Sequence, residues 1–218
     1  MYESFYRLDT NPFSLTPDPN FCFSHSGYRQ ARDYLEYALK LGEGLVMVTG
    51  RPGTGKTTLA ATFLDTLNMG SVRAAHIAAS SLDADNLLRT VAYAFDIRIE
   101  HDDRASLRHS IRQFFEGMAQ SGQRALLIID EAQGLPRAAL DELRLLADLH
   151  SRSRQILQLF LIGQDQLRER MSDPEMEYFQ QRVIANYHLV PLNLMECRDY
   201  VEYRLCQAGW QGDPELTG

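Results

Sequence analysis

The sequence has few cysteines, and those it has are far apart. Cys22, Cys197 and Cys206 form no CxxC pair and no metal-ligand pattern, and their number is odd. Widely spaced cysteines of this kind do not build a disulfide framework, so we expect free thiols in a reducing compartment. The six histidines also show no ligand spacing and are interpreted as structural residues.

Long apolar runs and an excess of positive charge are also absent. No apolar run approaches the roughly 18 residues that cross a bilayer. Residues 1–13 lack the basic start and apolar stretch of a signal peptide. The net charge of −7 argues against non-specific binding to nucleic acid or to an anionic membrane. We therefore expect a cytoplasmic protein without a nucleic-acid partner, held at the inner membrane only through regions or partners beyond these 218 residues.

The sequence does contain a regular alternation of apolar runs and amphipathic segments. The apolar runs predict strands over residues 45–49, 72–78, 125–130, 156–162 and 187–190. Helices are predicted over 28–41, 56–67, 83–95, 136–150, 165–171 and 195–207, with another that ends near residue 121. This order predicts an α/β fold in which helices cover both faces of a five-stranded parallel sheet.

Residues 50–57 match the Walker A pattern G-x-x-x-x-G-K-[ST] at every constrained position. Its glycines let main-chain N–H groups turn toward a phosphate, and the following helix adds its positive N-terminal end. We expect Lys56 to reach the β- and γ-phosphates of ATP and the Thr57 hydroxyl to ligate Mg²⁺. A chance glycine-rich turn is the alternative, but this segment joins a predicted strand to a predicted helix. The residues assigned to the nucleotide are Gly50, Pro52, Gly53, Thr54, Gly55, Lys56, Thr57 and Thr58.

Two acidic residues follow the apolar run 126–129 and form a Walker B pattern. Asp130 is expected at the carboxyl end of a buried strand, where it can hold Mg²⁺ through water molecules. Glu131 is the natural base to polarise an attacking water. Acids that only cap the next helix are the alternative. A nucleoside kinase would need an acceptor pocket that nothing in the sequence indicates, so we favour an ATPase that forms ADP and phosphate.

Gln164 follows the apolar run 159–162. In P-loop proteins with an extra strand between the phosphate loop and the acidic strand, a polar residue here touches the γ-phosphate and the attacking water. We expect Gln164 to do so. The alternative is a glutamine that only caps the next helix.

Arg182 lies just before the last predicted strand. Ring-forming ATPases place there an arginine that stabilises the γ-phosphate of a neighbouring subunit in the transition state. We expect Arg182 to act in this way, and a surface salt bridge is the alternative. Arg168 and Arg170 are interpreted as a solvated helix face.

Together these motifs resemble the general secretion pathway protein A family of AAA+ ATPases, which includes the type II secretion assembly ATPase and its exosortase-associated and mannose-sensitive pilus relatives. The resemblance spans nearly the whole chain. It is carried by Phe5 to Leu8, Asn11 to Pro19, Gly50 to Thr58, Ile129 to Gln133, Glu142 to Leu146, Leu161 to Gln164, Gln181 to Val183, Tyr187 to Leu189 and Tyr203 to Leu205. The N-terminal signature is more diagnostic than the phosphate loop, which many folds share.

The resemblance implies an AAA+ core of the ASCE type with Gln164 as first sensor, and a homo-oligomeric ring in which Arg182 acts on the neighbour. It divides the chain into an N-terminal arm (1–27), a nucleotide-binding core (28–192) and the beginning of a helical lid (193–218). The aromatic residues of the arm are expected to pack on the sheet or around the adenine. Asn186 stands where the family usually has a second arginine. The family's second-sensor segment is not among these residues, so we expect a chain truncated within the lid.

The resemblance implies that ATP hydrolysis energises assembly of an envelope secretion, pilus or exopolysaccharide-export system. Two alternatives stay open at this point. Transposition regulators share the acidic strand 129–133 and would bind DNA, which the net charge disfavours. A nucleotide-gated scaffold would bind ATP and scarcely hydrolyse it.

Overall fold

The computed structural model describes residues 2–14, 18, 21–67, 71–80, 82–151 and 154–212. The strands are β1 (Leu45–Gly50), β2 (Val72–Ala78), β3 (Arg124–Asp130), β4 (His150–Ser151), β5 (Arg154–Gln155), β6 (Leu157–Gly163) and β7 (Val183–Leu189). The helices are α1 (Tyr2–Tyr6), α2 (Ser26–Leu41), α3 (Lys56–Asp65), α4 (Ala84–Ala94), α5 (Arg104–Gln120), α6 (Arg137–Ala147), α7 (Asp165–Met171), α8 (Glu177–Gln180) and α9 (Leu194–Gln207). Short 3-10 turns cover Ala132–Gly134 and Pro174–Met176.

Five strands form one parallel sheet in the order β2-β3-β6-β1-β7. The sequence prediction of an α/β fold with a five-stranded parallel sheet is therefore confirmed. Strand β6 lies between β1, which leads into the phosphate loop, and β3, which ends in Asp130. This is the extra strand that the prediction for Gln164 required.

The sheet separates two apolar layers. On one face, α4, α5 and α6 pack against alternate residues of the central strands, such as Met47 and Leu127. On the other face, α2 and α3 pack against the residues between them, such as Val48 and Ile128. All residues of β1 and β6 are buried, which explains why these strands are almost entirely apolar.

The carboxyl ends of β1, β3 and β6 meet at one edge of the sheet because the strands are parallel and in register. Val48 is paired with Ile162, and Leu161 is paired with Ile129. The segments that leave this edge are the loop 51–55, the 3-10 turn after Glu131, and helix α7 after Gln164. Ligands of open α/β sheets bind at this edge.

Several predicted boundaries are wrong. The predicted strand 187–190 is β7, which begins at Val183. The predicted helix 136–150 ends at Ala147, because His150–Ser151 pairs with Arg154–Gln155 as β4 and β5. The N-terminal arm, for which the sequence predicted no helix, contains the short helix α1.

Two aromatic residues of the arm, Phe21 and Phe23, contact α9, whereas the expectation was that the aromatic residues of the arm cover the sheet or the adenine. The Phe23 ring centroid lies 5.9 Å from that of Tyr200 and 5.6 Å from that of Tyr203. Phe21 lies under the Arg204 guanidinium. Phe5 stays 80% exposed. The arm and α9 thus form one packed unit.

Candidate functional site

The loop of residues 51–55 joins β1 to α3 and turns in a backbone conformation that only glycine adopts easily. Gly53 has a φ of 80°, and Gly55, the N-cap of α3, has a φ of 88°. Because Gly55 carries no side chain, the first N–H groups of α3 stay open to an anion. The loop therefore presents main-chain donors and the positive end of a helix at the carboxyl edge of the sheet.

Lys56 begins α3 and keeps its ammonium group inside the loop. Its Nζ donates to the main-chain oxygen of Arg51 at 2.9 Å, and the Thr54 hydroxyl donates to the same oxygen at 2.9 Å. Burial lowers the pKa of Lys56 below its ordinary value, against the attraction of Glu131 and Asp130. A buried cation beside open N–H groups is an arrangement that suits a phosphate.

Thr57 and Asp130 bring two oxygen ligands together. The Thr57 hydroxyl donates to Asp130 Oδ2 at 2.6 Å, and the Glu131 N–H donates to Asp130 Oδ1 at 2.9 Å. Burial would raise the pKa of Asp130, but the nearby His76 ring, the Thr57 hydroxyl and the Glu131 N–H together hold it below its ordinary value. A hydroxyl beside an ionised carboxylate is a donor set that fits Mg²⁺, which prefers oxygen ligands.

Glu131 lies next to this pair in a left-handed backbone conformation, with a φ of 55°. Its Oε2 accepts hydrogen bonds from two glutamine amides. Gln164 Nε2 donates to it at 3.1 Å, and Gln133 Nε2 donates to it as well. The left-handed turn directs the carboxylate away from the strand and toward the end of β6.

Gln164 lies at the N-cap of α7, yet its side chain makes no capping hydrogen bond. The alternative of a glutamine that only caps the helix is therefore not the arrangement in the structure. Its amide instead contacts Glu131, while its main-chain N–H donates to Gln133 Oε1 at 3.0 Å. The structure thus brings Glu131 and Gln164 into direct contact.

Arg182 is the one predicted catalytic residue that does not join this group. It precedes β7 at the amino edge of the sheet, where its main-chain oxygen accepts from the Leu45 N–H at 2.7 Å. Its guanidinium donates to Asp148 at 2.6 Å and lies 4.6 Å from the centroid of the Tyr178 ring. In the single chain, Arg182 thus makes the surface ion pair that was the alternative interpretation.

Three residues of the site escaped the sequence analysis. Gln133 spans Glu131 and Gln164, and its place directly after the Asp-Glu-Ala run was the only signal for it. His76 Nε2 lies 3.8 Å from Asp130 Oδ2, and no pattern in the sequence indicated this. Arg170, interpreted as part of a solvated face, instead donates to the main-chain oxygens of Gln133 and Leu135.

Three kinds of group therefore converge at the carboxyl edge. The loop and Lys56 can bind phosphates, Thr57 and Asp130 can hold a magnesium ion, and Glu131 can accept a proton from a water that Gln164 orients. Among the described residues, every helix is too short or too polar to span a membrane.

The chain resembles several known proteins. Residues 39–171 match the family model described as AAA domain. General secretion pathway protein A of Aeromonas hydrophila is 34% identical over 210 residues, which cover 96% of this chain and 38% of that protein. The chain thus spans well under half the length of this relative.

Solved structures share the fold at lower identity. The Aeropyrum pernix ORC2 protein in its ADP form is 18% identical, with a TM-score of 0.64 over 85% of this chain and 55% of that one. Cdc6p of Pyrobaculum aerophilum is 16% identical, with a TM-score of 0.67 over 88% of this chain and 54% of that one. The fold is that of a P-loop ATPase. The chain therefore belongs to the AAA domain family, and within it is similar to general secretion pathway protein A.

Proposed function

We propose that this chain binds ATP with Mg²⁺ and hydrolyses it to ADP and phosphate. The observation that carries the proposal is the contact between Glu131 and Gln164 beside the Thr57–Asp130 pair, all at the edge where the phosphate loop lies. A scaffold that only binds nucleotide needs the phosphate loop but has no use for a base held against an amide. The alternative of a transposition regulator gains no support from general secretion pathway protein A, a relative that matches 96% of this chain.

Each residue has a task that follows from its position. The main-chain N–H groups of the loop and Lys56 bind the phosphates, so Lys56 exchanges the Arg51 oxygen for a phosphate oxygen. Thr57 and Asp130 hold the metal ion, which neutralises charge on the β- and γ-phosphates when it is bound. Glu131 accepts the proton of the attacking water, and Gln164 moves from Glu131 to the γ-phosphate and that water.

Phosphate release by the protein compared with Glu131→Gln tests the proposal. Removing the base should lower kcat by about 10² to 10⁴-fold, while binding of a fluorescent ATP analogue should change little because Glu131 is outside the phosphate loop. Chelation of Mg²⁺ should abolish release by the unchanged protein.

The matched control is Glu100→Gln, which neutralises an exposed carboxylate away from the site and should leave kcat unchanged. If the unchanged protein released phosphate no faster than Glu131→Gln, the hydrolytic proposal would fail and the nucleotide-gated scaffold would take its place.

We further propose that the ATPase works in a homo-oligomer, in which Arg182 of one subunit completes the site of the next. The position of Arg182 supports this, because it lies at the edge of the sheet opposite its own phosphate loop and cannot act on its own nucleotide. To act in this way it would have to leave Asp148 for a phosphate.

The cellular task that we propose is to energise assembly of an envelope secretion, pilus or exopolysaccharide-export system at the cytoplasmic side of the inner membrane. The similarity to general secretion pathway protein A supports it. In the source organism, Lys56→Ala should abolish export of proteins or polysaccharide, because the buried cation of the phosphate loop is lost. The variant should accumulate to the normal level, as an immunoblot would verify. Unchanged export from cells that contain only the variant would contradict this task.

A further inference from the structure

Glu131, Gln133 and Gln164 close a triangle of hydrogen bonds. Gln133 Nε2 donates to Glu131 Oε2, Gln164 Nε2 donates to the same oxygen at 3.1 Å, and the Gln164 N–H donates to Gln133 Oε1 at 3.0 Å. Gln133 thus uses both ends of its amide. One end holds the side chain of the proposed base, and the other holds the main chain of the residue that carries the proposed sensor.

Glutamine supplies both groups that this place needs. The contact with Glu131 needs a donor, and the contact with the Gln164 N–H needs an acceptor. Glutamate supplies the acceptor but, when ionised, cannot donate, and methionine of nearly the same length supplies neither. The amide is also uncharged, so its own donor and acceptor do not change with pH.

Space for this amide exists because residue 163 is glycine. A Cβ at Gly163 would lie 2.6 Å from Gln133 Oε1 and 2.9 Å from the Leu167 side chain, closer than real contacts allow. The last residue of β6 therefore lacks a side chain at the point where Gln133 approaches the strand. Any larger residue would push the amide out of the triangle.

The main chain that carries Gln133 is itself fastened to α7. Arg170 donates to the main-chain oxygens of Gln133 and Leu135. The turn after Glu131 and the helix after Gln164 are thus connected twice, once by the Gln133 side chain and once by Arg170. Two segments that the chain separates by about thirty residues therefore hold a common position at the site.

We propose that Gln133 is a positioning residue that couples Glu131 to Gln164, so that base and amide meet the γ-phosphate and the attacking water as one unit. This inference rests on the proposed hydrolysis of ATP. When the nucleotide draws the Gln164 side chain away, the Gln133 amide keeps Glu131 in place and keeps the end of β6 at the same distance. Without it, the carboxylate would rotate and the attacking water would lose its alignment.

The first experiment separates this role from a general contribution to stability. Gln133→Met should lower kcat by about tenfold to a hundredfold, since small displacements of a catalytic group have effects of this size. The affinity for ATP and KM should change by less than about twofold, because Gln133 is outside the phosphate loop. The matched control is Gln158→Met on β6. It also removes a glutamine amide, which in this case donates to the main-chain oxygens of Ala38 and Glu43. It should affect stability and leave kcat unchanged.

The second experiment uses Gln133→Glu to divide the two contacts. This variant keeps an acceptor for the Gln164 N–H but loses the donor to Glu131, and the repulsion between the two carboxylates turns Glu131 away. Amide hydrogen exchange at Gln164 in the nucleotide-free protein should therefore stay slow in Gln133→Glu and become about tenfold faster in Gln133→Met. Both variants should lose kcat. This measurement also serves if Gln133→Met is too unstable for kinetics.

The outcomes distinguish the inference from the function on which it rests. If the unchanged protein releases phosphate no faster than Glu131→Gln, the proposed function is overturned, and the coupling is overturned with it. If the unchanged protein is active and Gln133→Met has the same kcat, the coupling is overturned and the proposed function stands. Equal exchange of the Gln164 amide in all three proteins would also overturn the coupling alone.

Discussion

Arg204 is a cation that the fold buries against main-chain oxygens. The side chain lies on α9 and is 9% exposed, and in the described part of the chain no carboxylate lies within ion-pair distance of it. Its guanidinium donates to the main-chain oxygens of Phe21 at 3.1 Å, Ser14 at 3.4 Å and Pro12. It also lies 4.8 Å from the centroid of the Phe21 ring. One residue therefore fastens the N-terminal arm to the helix that begins the predicted lid.

Arg204→Met should destabilise this contact, because it leaves the buried main-chain oxygen of Pro12 and the partly buried ones of Ser14 and Phe21 without their donor. We expect the free energy of unfolding in urea to fall by about 3 kcal/mol, since a buried unsatisfied acceptor costs roughly 1–3 kcal/mol. Arg198→Met on the exposed side of the same helix is the control and should stay within about 0.5 kcal/mol of the unchanged protein. Equal unfolding curves for the two variants would show that the arm does not depend on Arg204.

At the scale of the elements, the central strands could be predicted because each is buried on both faces. β1, β3 and β6 are mostly apolar and end in a glycine or an acid, which marks their carboxyl ends in the sequence. The phosphate loop and the Asp130–Glu131 pair could be predicted for a related reason. Their residues are neighbours in the chain, so spacing alone places them.

The start of the edge strand β7 and the β4–β5 hairpin could not be predicted from apolar runs. β7 has the exposed residues Ile184 and Asn186 among its first four, so no apolar run marks its start. Strands β4 and β5 have two residues each, which is too short for any periodicity. Their pairing ends α6 three residues earlier than its apolar pattern indicates.

The role that we infer for Gln133 could not be predicted from the sequence, for a different reason. It depends on an N–H group 31 residues further along the chain and on the missing side chain of Gly163. Neither is a feature of the segment that contains Gln133. Contacts of this kind become visible only when the sheet places β3 and β6 side by side.

At the scale of the whole molecule, the phosphate loop and Arg182 lie at opposite edges of the sheet. Gly50 is in register with Leu189 at the end of β7, whereas Arg182 comes just before the first residue of that strand. The length of β7 separates the two edges by about 20 Å. A single chain therefore cannot bring Arg182 to its own nucleotide, and the proposed oligomer predicts that two chains can.

A mixture of two inactive variants tests this arrangement. Arg182→Ala and Glu131→Gln should each release little phosphate alone. Mixed in equal amounts, they should recover about a quarter of the normal rate if subunits assemble at random, because one pairing in four joins an intact Glu131 to an intact Arg182. Phosphate release and sedimentation are measured together, so that assembly is verified for each sample.

The control for the mixture is Glu131→Gln combined with the double variant Glu131→Gln/Arg182→Ala, which offers no intact site and should stay inactive. If the two single variants assemble together but the mixture does not recover phosphate release, Arg182 does not act on a neighbouring subunit.

The hydrogen bond from the Leu45 N–H to the main-chain oxygen of Arg182 has a consequence for the proposed oligomer. Leu45 starts the strand that ends in the phosphate loop, and Arg182 immediately precedes the strand beside it, so this hydrogen bond joins the amino ends of the two strands. In the proposed ring, the strand that ends at one nucleotide would therefore be bonded at its other end to the residue that meets the next nucleotide.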